Sequence, residues 1–367
     1  MNKLSPSSIT QAHTLIKPHI HRTPVLTNQT LNRLASTPQP ASADQEPEVE
    51  PAHPRFRFFF KCENLQRIGA FKARGAFHAL LRLIEERGED EVRKRGVVTH
   101  SSGNHAQALA LAAHTLNIPA YIVMPSISTV SKIEGTRAYG AKILFSGSTS
   151  TEREAVVADV QNETGAILIP PYDDANIILG QGTTGLELEE QYIELVRQEP
   201  GLSAHASPSL DAVITPVGGG GLNSGVATFF SDKRTTVFGA EPSYQGADDC
   251  RRGLERGERV EAVKSLTVAD GLRTPVGVLN WGVISDKSKV GGVFAVTEEQ
   301  IAAAMRLVLE RMKVVVEPSA VVGLAVCLFN EEFRRLVERE GGEEGWDVGI
   351  VFSGGNTTVE AIGKLFS

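Results

Sequence analysis

Short apolar segments alternate with longer segments of helical periodicity along most of the chain. The predicted strands are 56–62, 96–99, 120–124, 142–145, 166–169, 212–216, 237–240 and 348–352. The predicted helices are 7–16, 31–34, 75–86, 105–116, 130–139, 152–164, 183–196, 222–230, 298–311 and 320–329. Strands that alternate with helices are typical of parallel sheets covered by helices. We therefore predict an α/β protein with two sheet-building blocks and a cleft between them.

One segment departs from this alternation. Residues 35–55 contain Pro38, Pro40, Pro47, Pro51 and Pro54 among Ser, Ala, Asp and Glu. Such a composition buries too little apolar surface to offset the entropy of ordering the chain. We predict a disordered surface insertion at about 35–55.

Composition excludes several classes of function. The chain has 367 residues with 41% hydrophobic content and a net charge of -7, so its charge gives no reason to expect binding to nucleic acid or to an anionic membrane. Its apolar runs fall short of the roughly 20 residues that a membrane span needs. The three cysteines, Cys62, Cys250 and Cys327, lack the spacing of metal ligands. We expect free thiols and a cytoplasmic location.

Lys72 is the first candidate for chemistry. It lies in the small and apolar segment 69–75, which reads GAFKARG. An amine in apolar surroundings has a lowered pKa and can act as a nucleophile in Schiff-base chemistry. The alternative is a lysine at a helix start whose stem packs while its ammonium reaches water.

Three loops share one design, in which a predicted strand ends, small residues follow and a helix begins. They are 100–105 (HSSGNH), 218–221 (GGGG) and 353–358 (SGGNTT). Backbone N–H groups of such loops can converge on an anion near a helix N-terminus. The tetraglycine is neither a dinucleotide fingerprint nor a Walker loop, so a small phosphate group is the better ligand. Phosphate together with a Schiff-base lysine indicates pyridoxal 5'-phosphate (PLP).

The chain resembles the fold-type II PLP enzymes, and among them the family of serine racemases and serine/threonine or threo-3-hydroxyaspartate dehydratases. The resemblance runs from about Thr23 to Asn356 outside the proline-rich insertion. It is carried by the segments 63–72 (ENLQRIGAFK), 101–105 (SSGNH), 180–183 (GQGT), 218–221 (GGGG), 317–320 (EPSA) and 353–356 (SGGN).

The resemblance implies a tryptophan synthase beta-like fold of two open α/β domains with the active site in the cleft. It places a large domain at 1–95 and 171–367 and a small domain at 96–170. It also implies a homodimer and closure of the domains over an amino-acid substrate.

The resemblance also assigns residues to roles. Cofactor-binding roles fall on Phe71, Lys72, Asn104, Gly218, Gly219, Gly220, Gly221, Glu317 and Ser353. Substrate-binding roles fall on Ser101, Ser102, Gly103, His105, Arg153 and Tyr172. Lys72 would hold PLP covalently and exchange a proton on one face of the substrate, and Ser102 would do so on the other face.

The expected reactions follow from this set. Ser353 would face the pyridine nitrogen, and a neutral hydroxyl there makes a shallower electron sink than a carboxylate would, which favours prompt loss of a β-hydroxyl. We predict a serine racemase with serine dehydratase activity on small β-hydroxy amino acids. The alternatives are a threo-3-hydroxyaspartate or L-threonine dehydratase and, more remotely, an inactive ligand-binding relative. Ser102 could instead cap the following helix.

A metal site is expected near the end of the strand 237–240. The resemblance places ligands for Mg²⁺ or Ca²⁺ at Glu241, at the backbone carbonyl of Ala247 and at Asp249, all hard oxygen donors. The loop between Glu241 and Ala247 is about two residues longer than the resemblance leads one to expect. The aspartates could otherwise be solvated side chains of a turn.

Two of the candidate substrate-binding residues differ in the kind of relative that they match. Arg153 aligns with an arginine near the carboxylate end of the racemase pocket, although an arginine at a helix start is often an ordinary surface residue. Tyr172 follows the fungal-type dehydratase pattern.

Overall fold

The computed structural model of the protein describes residues 3–39, 50–101, 103–147 and 150–367. The helices are α1 (Pro6–Ile16), α2 (Gln29–Ala35), α3 (Lys72–Arg87), α4 (Glu89–Arg95), α5 (Asn104–Thr115), α6 (Val130–Arg137), α7 (Ser150–Thr164), α8 (Ala175–Gln198), α9 (Gly221–Phe230), α10 (Asp249–Arg256), α11 (Val278–Ile284), α12 (Glu298–Leu307), α13 (Val322–Phe329), α14 (Glu331–Gly341) and α15 (Val359–Phe366). The strands are β1 (Val25–Leu26), β2 (Phe56–Cys62), β3 (Val97–His100), β4 (Ala120–Pro125), β5 (Lys142–Ser146), β6 (Ile167–Leu168), β7 (Ala212–Pro216), β8 (Thr236–Pro242), β9 (Val290–Val296) and β10 (Trp346–Phe352).

The strands form two sheets. A six-stranded sheet has the order β1-β2-β10-β7-β8-β9, and a four-stranded sheet has the order β5-β4-β3-β6. Strand pairing is parallel except between β1 and β2. The predicted α/β class with two parallel blocks is therefore confirmed.

The phenylalanine-rich strand β2 shows how the larger sheet is buried on both faces. Successive side chains of a strand point to opposite faces. Phe58 and Phe60 pack into the core beneath α13, and the Phe60 ring stacks on Phe352 at a centroid distance of 4.8 Å. Phe59 points the other way and meets Tyr192 edge-on at 4.7 Å. Burial on both faces is the usual condition of a parallel sheet.

Three strands end next to the three loops singled out in the sequence. β3 ends at His100, β7 at Pro216 and β10 at Phe352. In open α/β sheets, ligands bind outside the carboxyl ends of the strands. The fold thus directs all three loops to edges where a ligand is expected.

Helix α8 begins eight residues earlier than predicted. Asp174 caps its first turn, because the carboxylate Oδ1 accepts the backbone N–H groups of Asn176 at 2.8 Å and Ile177 at 3.1 Å. The glycines at 180 and 182 resemble a loop in the sequence, yet they lie inside this helix. Their role is close packing, described below.

Strand β9 and helices α4, α10, α11, α14 and α15 were not predicted. β9 contains Gly291 and Gly292, which interrupt its apolar run. It pairs with β8 at the edge of the larger sheet, so tertiary pairing stabilises a segment with weak local signals.

The described ends of the predicted insertion at 35–55 contact helix α14. Residues 40–49 lie outside the described part of the chain. Ala35 and Ala52 are buried, and the Arg334 guanidinium donates to both of their carbonyl oxygens, at 2.5 and 3.0 Å. Both ends of the segment are thus anchored to α14.

Within the described ranges, none of the helices combines the length and the apolarity that crossing a membrane requires.

Candidate active site

Lys72 is the first residue of α3 and points into the cleft. Its Nζ donates a hydrogen bond to the carbonyl oxygen of Pro171 at 2.7 Å and lies 5.2 Å from the centroid of the Phe71 ring. Burial lowers the pKa of the amine to about 8. A lysine in this state reaches its neutral, nucleophilic form far more easily than a solvated one.

Helix α8 sets the distance between Lys72 and the tetraglycine. A Cβ at Gly180 would lie 2.7 Å from the Cα of Gly75 in α3, so the two helices touch at backbone distance. A Cβ at Gly182 would lie 2.6 Å from the carbonyl oxygen of Gly225 in α9. Because α3 begins at Lys72 and α9 begins at Gly221, the glycines of α8 fix the two candidate cofactor contacts relative to each other.

The tetraglycine forms a tight loop at the N-terminus of α9. Gly220 has φ +91°, a left-handed conformation that glycine adopts without strain. A Cβ at Gly218 would lie 3.0 Å from the Gly271 carbonyl oxygen, and one at Gly219 would lie 2.3 Å from Cγ of Tyr172. Only backbone fits here, which is the requirement of a loop that binds phosphate through its N–H groups.

The Lys72 segment is hydrogen-bonded to the last glycine-rich loop. The N–H of Phe71 donates to the Ser353 carbonyl oxygen at 3.0 Å, and the N–H of Gly355 donates to the Gly69 carbonyl oxygen at 2.9 Å. Ser353 is buried at the end of β10. The lysine and the serine that is expected at the pyridine nitrogen are thereby held side by side.

Glu317 contacts the same loops through both its side chain and its backbone. Its carboxylate accepts the Asn104 amide at 3.0 and 3.3 Å, and its backbone N–H donates to the Gly354 carbonyl oxygen at 3.0 Å. The Asn104 carbonyl oxygen accepts the amide of Asn356 at 2.8 Å. Burial, and to a smaller extent the charge of Asp270, raise the pKa of Glu317 to about 8. Near neutral pH this carboxyl can therefore be protonated and donate a hydrogen bond.

The predicted substrate loop lies at the N-terminus of α5. The Ser101 hydroxyl accepts the N–H of Gly103 at 3.2 Å, which shapes the loop just before the helix. Ser102, predicted as the second catalytic residue, lies outside the described residues. The first-turn N–H groups of a helix lack intrahelical acceptors and favour an anion, so this end suits a carboxylate.

His105 is buried, and its Nε2 lies 3.3 Å from the Ile169 carbonyl oxygen. Burial and the nearby Lys72 lower its pKa to about 3, so the imidazole is neutral and donates through Nε2. Its Nδ1 has no hydrogen-bond partner in the described part of the protein. The contact of His105 with a substrate would come from its backbone at the helix start.

Arg153 lies within electrostatic range of His100 and of Tyr172. Burial lowers the pKa of His100, and the Arg153 charge adds to the effect. Burial and the neighbouring Asp173 raise the pKa of Tyr172, whereas the Arg153 charge lowers it by a smaller amount. The guanidinium is therefore close enough to act electrostatically on both rings.

The candidate metal ligands are brought together at the end of β8. Glu241 is fully buried, and its two carboxylate oxygens accept the N–H groups of Cys250 at 3.1 Å and Arg251 at 3.0 Å. Asp249 accepts the N–H of Val276 at 3.2 Å through Oδ2, whereas its buried Oδ1 has no partner among the described atoms. The third candidate, Ala247, is buried beside them.

The charges at this site fit a bound cation. Burial and Asp249 raise the pKa of Glu241, and burial raises the pKa of Asp249 to about 6. The adjacent Asp248 differs, because it is paired with Arg251 at 2.9 Å and Arg252 at 3.0 Å. Two buried carboxylates with an unpaired oxygen are the donors that Mg²⁺ or Ca²⁺ prefers.

Sequence reasoning missed two residues that hold the site together, Asp173 and Asn280. Asp173 caps α11 and Asn280 binds the tetraglycine, as detailed below. An Asp followed by another Asp gives a weak capping signal for Asp173. Nothing near Asn280 in the sequence indicates its partners, which lie 61 and 108 residues away.

A cluster of possible metal ligands lies elsewhere, at His205, Asp211 and Asp347. Its atoms already bond to one another and to Tyr192, whose hydroxyl donates to Asp347 at 2.6 Å. The cluster is a satisfied polar network.

Known proteins are similar to this chain in sequence and in fold. A serine racemase of Arabidopsis thaliana is 40% identical, with 98% of this chain and 95% of the relative covered. A beta-hydroxyaspartate dehydratase of Paracoccus denitrificans is 36% identical, with 96% of each covered. The crystal structure of serine racemase from Dictyostelium discoideum superposes with a TM-score of 0.78 and 38% identity, covering 97% of this chain and 99% of that one.

A family-wide comparison covers the whole candidate site. The profile described as "Pyridoxal-phosphate dependent enzyme" matches residues 18–354, which include Lys72, the tetraglycine and Ser353. The lysine, the backbone cradle and the serine all fit this cofactor on their own chemistry. Geometry and comparison agree, and the chain belongs to the pyridoxal-phosphate dependent enzyme family, with the fold of its type II members.

Proposed function

We propose that the protein is a PLP-dependent serine racemase that also deaminates serine by β-elimination: the β-hydroxyl leaves as water, and hydrolysis of the product takes up one water and gives pyruvate and ammonia. The observation that carries the proposal is Lys72, a desolvated amine with a pKa of about 8, fixed by α8 beside a backbone cradle for phosphate. Serine racemases of similar length match the chain from end to end. Fold alone does not decide function, so the roles below rest on the site.

Different residues would bind different parts of the cofactor. Lys72 would hold PLP covalently, Gly218, Gly219, Gly220 and Gly221 would bind its phosphate, and Asn104 would bind its phenolic oxygen. Bound PLP makes the α-proton of an attached amino acid acidic and takes up the negative charge that is left. Phe71 and Glu317 complete the walls, the latter through its hydrogen bonds to Asn104.

Two residues on opposite faces of the substrate would transfer protons. Lys72 can accept the α-proton and return it near neutral pH, because its pKa is close to the working pH. Ser102 is proposed for the opposite face. Ser353 would face the pyridine nitrogen of PLP with a neutral hydroxyl, which would favour prompt loss of a β-hydroxyl from the substrate, so elimination would accompany racemisation.

The substrate carboxylate would bind at the N-terminus of α5, with Ser101, Gly103 and His105. Arg153 and Tyr172 would line the side-chain end of the pocket. A small β-hydroxy amino acid satisfies these contacts with one carboxylate and one hydroxyl.

A second candidate is a dehydratase of β-hydroxyaspartate. The position of Arg153 favours it, because a guanidinium close to both His100 and Tyr172 could pair with a second substrate carboxylate. The dehydratase relative, 36% identical, supports the same possibility. L-Threonine dehydration is the same elimination on a substrate that carries a β-methyl group where serine carries a hydrogen.

We also propose a Mg²⁺ or Ca²⁺ ion at Glu241, the Ala247 carbonyl and Asp249. Two domains, 1–95 with 171–367 and 96–170, would close over the substrate and exclude water. The proposed assembly is a homodimer in the cytoplasm. Support for the latter is that Cys62, Cys250 and Cys327 are buried free thiols, as expected in a reducing compartment.

A comparison of substrates tests the proposal. The purified enzyme is given L-serine, L-threo-3-hydroxyaspartate or L-threonine under identical conditions. D-Serine, pyruvate, oxaloacetate and 2-oxobutyrate are then measured. D-Serine and pyruvate from L-serine support the racemase. Oxaloacetate with only traces of D-serine would move the assignment to the second candidate.

A further inference from the structure

Asn280 binds two backbone segments at once. It is fully buried in α11, and its Nδ2 donates to the Gly219 carbonyl oxygen at 2.8 Å and to the Tyr172 carbonyl oxygen at 3.2 Å. The same nitrogen lies 3.5 Å from Oδ1 of Asp173. One side chain therefore ties the tetraglycine to the segment that leaves β6.

A second set of contacts reinforces this connection. The Asp173 carboxylate accepts the N–H groups of Val278 and Leu279, both at 2.9 Å, and so caps α11. The N–H of Gly277 donates to the Gly219 carbonyl oxygen at 3.1 Å. The Gly219 oxygen thus has two donors, and both come from the start of α11.

The tetraglycine is enclosed on two sides. A Cβ at Gly219 would touch the Tyr172 ring, and a Cβ at Gly220 would lie 2.8 Å from Cβ of Asn280. The loop cannot shift toward either residue without a clash. Its orientation is therefore set by the donors that hold its carbonyl oxygen.

Peptide geometry extends the effect to the phosphate-binding N–H groups. The described residues contain no cis peptide bond, so the Gly219 carbonyl and the Gly220 N–H point in opposite directions. When the carbonyl is held toward α11, the Gly220 N–H is turned away from it and is left to an anion. The same segment carries Pro171, whose carbonyl oxygen accepts Lys72.

We propose that Asn280 is a positioning residue that fixes the tetraglycine in its phosphate-binding orientation and in register with Lys72. This inference rests on the proposed function, since it takes the tetraglycine to bind the PLP phosphate. It predicts that loss of the Asn280 side chain weakens binding of the cofactor's phosphate and leaves the reaction of its aldehyde with Lys72 unchanged.

The test compares PLP with pyridoxal, which has the same aldehyde and lacks the phosphate. Apoenzyme of the wild type and of Asn280→Ala is titrated with each compound, and binding is followed by visible absorption. We expect the dissociation constant of PLP to rise by about 10-fold or more, because the Gly219 carbonyl oxygen loses one of its two donors and the Tyr172 carbonyl oxygen loses its contact with the same amide. The constant for pyridoxal should change by less than about 2-fold, since Lys72 is untouched.

Asn330→Ala is the matched control. Asn330 also donates through Nδ2 to a backbone carbonyl, that of Ala295 at 3.1 Å, and caps α14 through the N–H of Phe333 at 3.0 Å. Its loss should lower the melting temperature and leave both dissociation constants unchanged. If Asn280→Ala does not fold, Asn280→Leu keeps nearly the same shape without the donor and is expected to behave as described.

The outcomes separate the inference from the function beneath it. Equal weakening of PLP and pyridoxal would show that Asn280 is merely structural, and no change in either would also overturn the inference. If the wild type binds PLP no more tightly than pyridoxal, the assignment of the tetraglycine to phosphate fails, and the inference fails with it.

Discussion

Lys132 and Asp270 form an ion pair across the cleft, with Lys132 Nζ 2.6 Å from Asp270 Oδ2. Lys132 belongs to α6, beside the four-stranded sheet, whereas Asp270 precedes Gly271, which packs on the tetraglycine. The charges of both residues act on the pKa of Glu317, which binds Asn104 from the other side of the cleft. This ion pair and the Asn104 contact connect the two sheets near the proposed cofactor site.

Loss of this ion pair should loosen the closed cleft. Both side chains are partly exposed, so Lys132→Ala should cost less than about 1 kcal/mol in the free energy of unfolding. We expect the KM for L-serine to rise several-fold with a smaller change in kcat, because the closed arrangement is less populated. Lys94→Ala removes an exposed lysine of α4 and should leave KM unchanged. An unchanged KM for Lys132→Ala would exclude a role of this ion pair in closure.

The sequence predicts the elements of this site better than the contacts between them. Lys72, the tetraglycine and Ser353 stand out because each follows a predicted strand and has an unusual local composition. The parallel sheets are predictable for the same reason, since strands such as β7 and β10 are short, apolar and bounded by glycine. These features could be predicted because each depends on the conformation and composition of a few neighbouring residues.

What could not be predicted depends on distant partners. Arg74 illustrates this, because its buried guanidinium pairs with Glu63 and with Glu187, each at 2.7 Å, and Glu187 lies 113 residues away. The glycines of α8 look like a loop until their contacts with α3 and α9 are known. Likewise, the role of Asn280 becomes apparent only from its hydrogen bond to Gly219.

The lowered pKa of Lys72 predicts how reconstitution with PLP depends on pH. Burial favours the neutral amine, so the nucleophilic fraction rises with pH, reaches about half at pH 8 and is nearly complete about one pH unit higher. The rate at which apoenzyme regains its visible absorption band should reach half its maximum at about pH 8 and level off about one pH unit higher. A rate that continues to rise toward pH 10.5, the ordinary pKa of lysine, would contradict a desolvated Lys72.

Ser102 should affect the two reactions unequally. Elimination from L-serine begins on the face of Lys72, whereas formation of D-serine needs a proton from the other face. Ser102→Ala should therefore suppress D-serine formation, and elimination from D-serine, far more than elimination from L-serine. The loss of a possible helix cap costs about 1 kcal/mol, so the variant should fold. The ratio of D-serine to pyruvate from L-serine is the measurement, and an unchanged ratio would reduce Ser102 to capping or positioning.

The proposed metal site predicts a pH-dependent effect of chelation. The Asp249 pKa is raised from 3.8 to about 6, so without metal the folded state loses stability as pH rises through this range and the carboxylate ionises beside Glu241. A bound divalent ion offsets that repulsion and stabilises the folded state. EDTA should lower the melting temperature more at pH 7.5 than at pH 5, and Mg²⁺ should restore it.

Glu241→Gln provides the control for this effect. With one carboxylate removed, the variant should bind Mg²⁺ poorly and show little response to EDTA at either pH. A melting temperature that is insensitive to EDTA in the wild type at pH 7.5 would argue against the metal site.

The fate of L-serine in the wild type and in Lys72→Ala tests most directly whether Lys72 carries the reaction. Both enzymes are incubated with PLP and L-serine, D-serine is measured by chiral chromatography and pyruvate by reduction with NADH, and melting temperatures confirm that both are folded. We expect D-serine and pyruvate from the wild type and neither product from the variant, which lacks both the proposed covalent attachment and the proposed proton acceptor. Substantial turnover by folded Lys72→Ala, or neither product from the PLP-loaded wild type, would contradict this expectation.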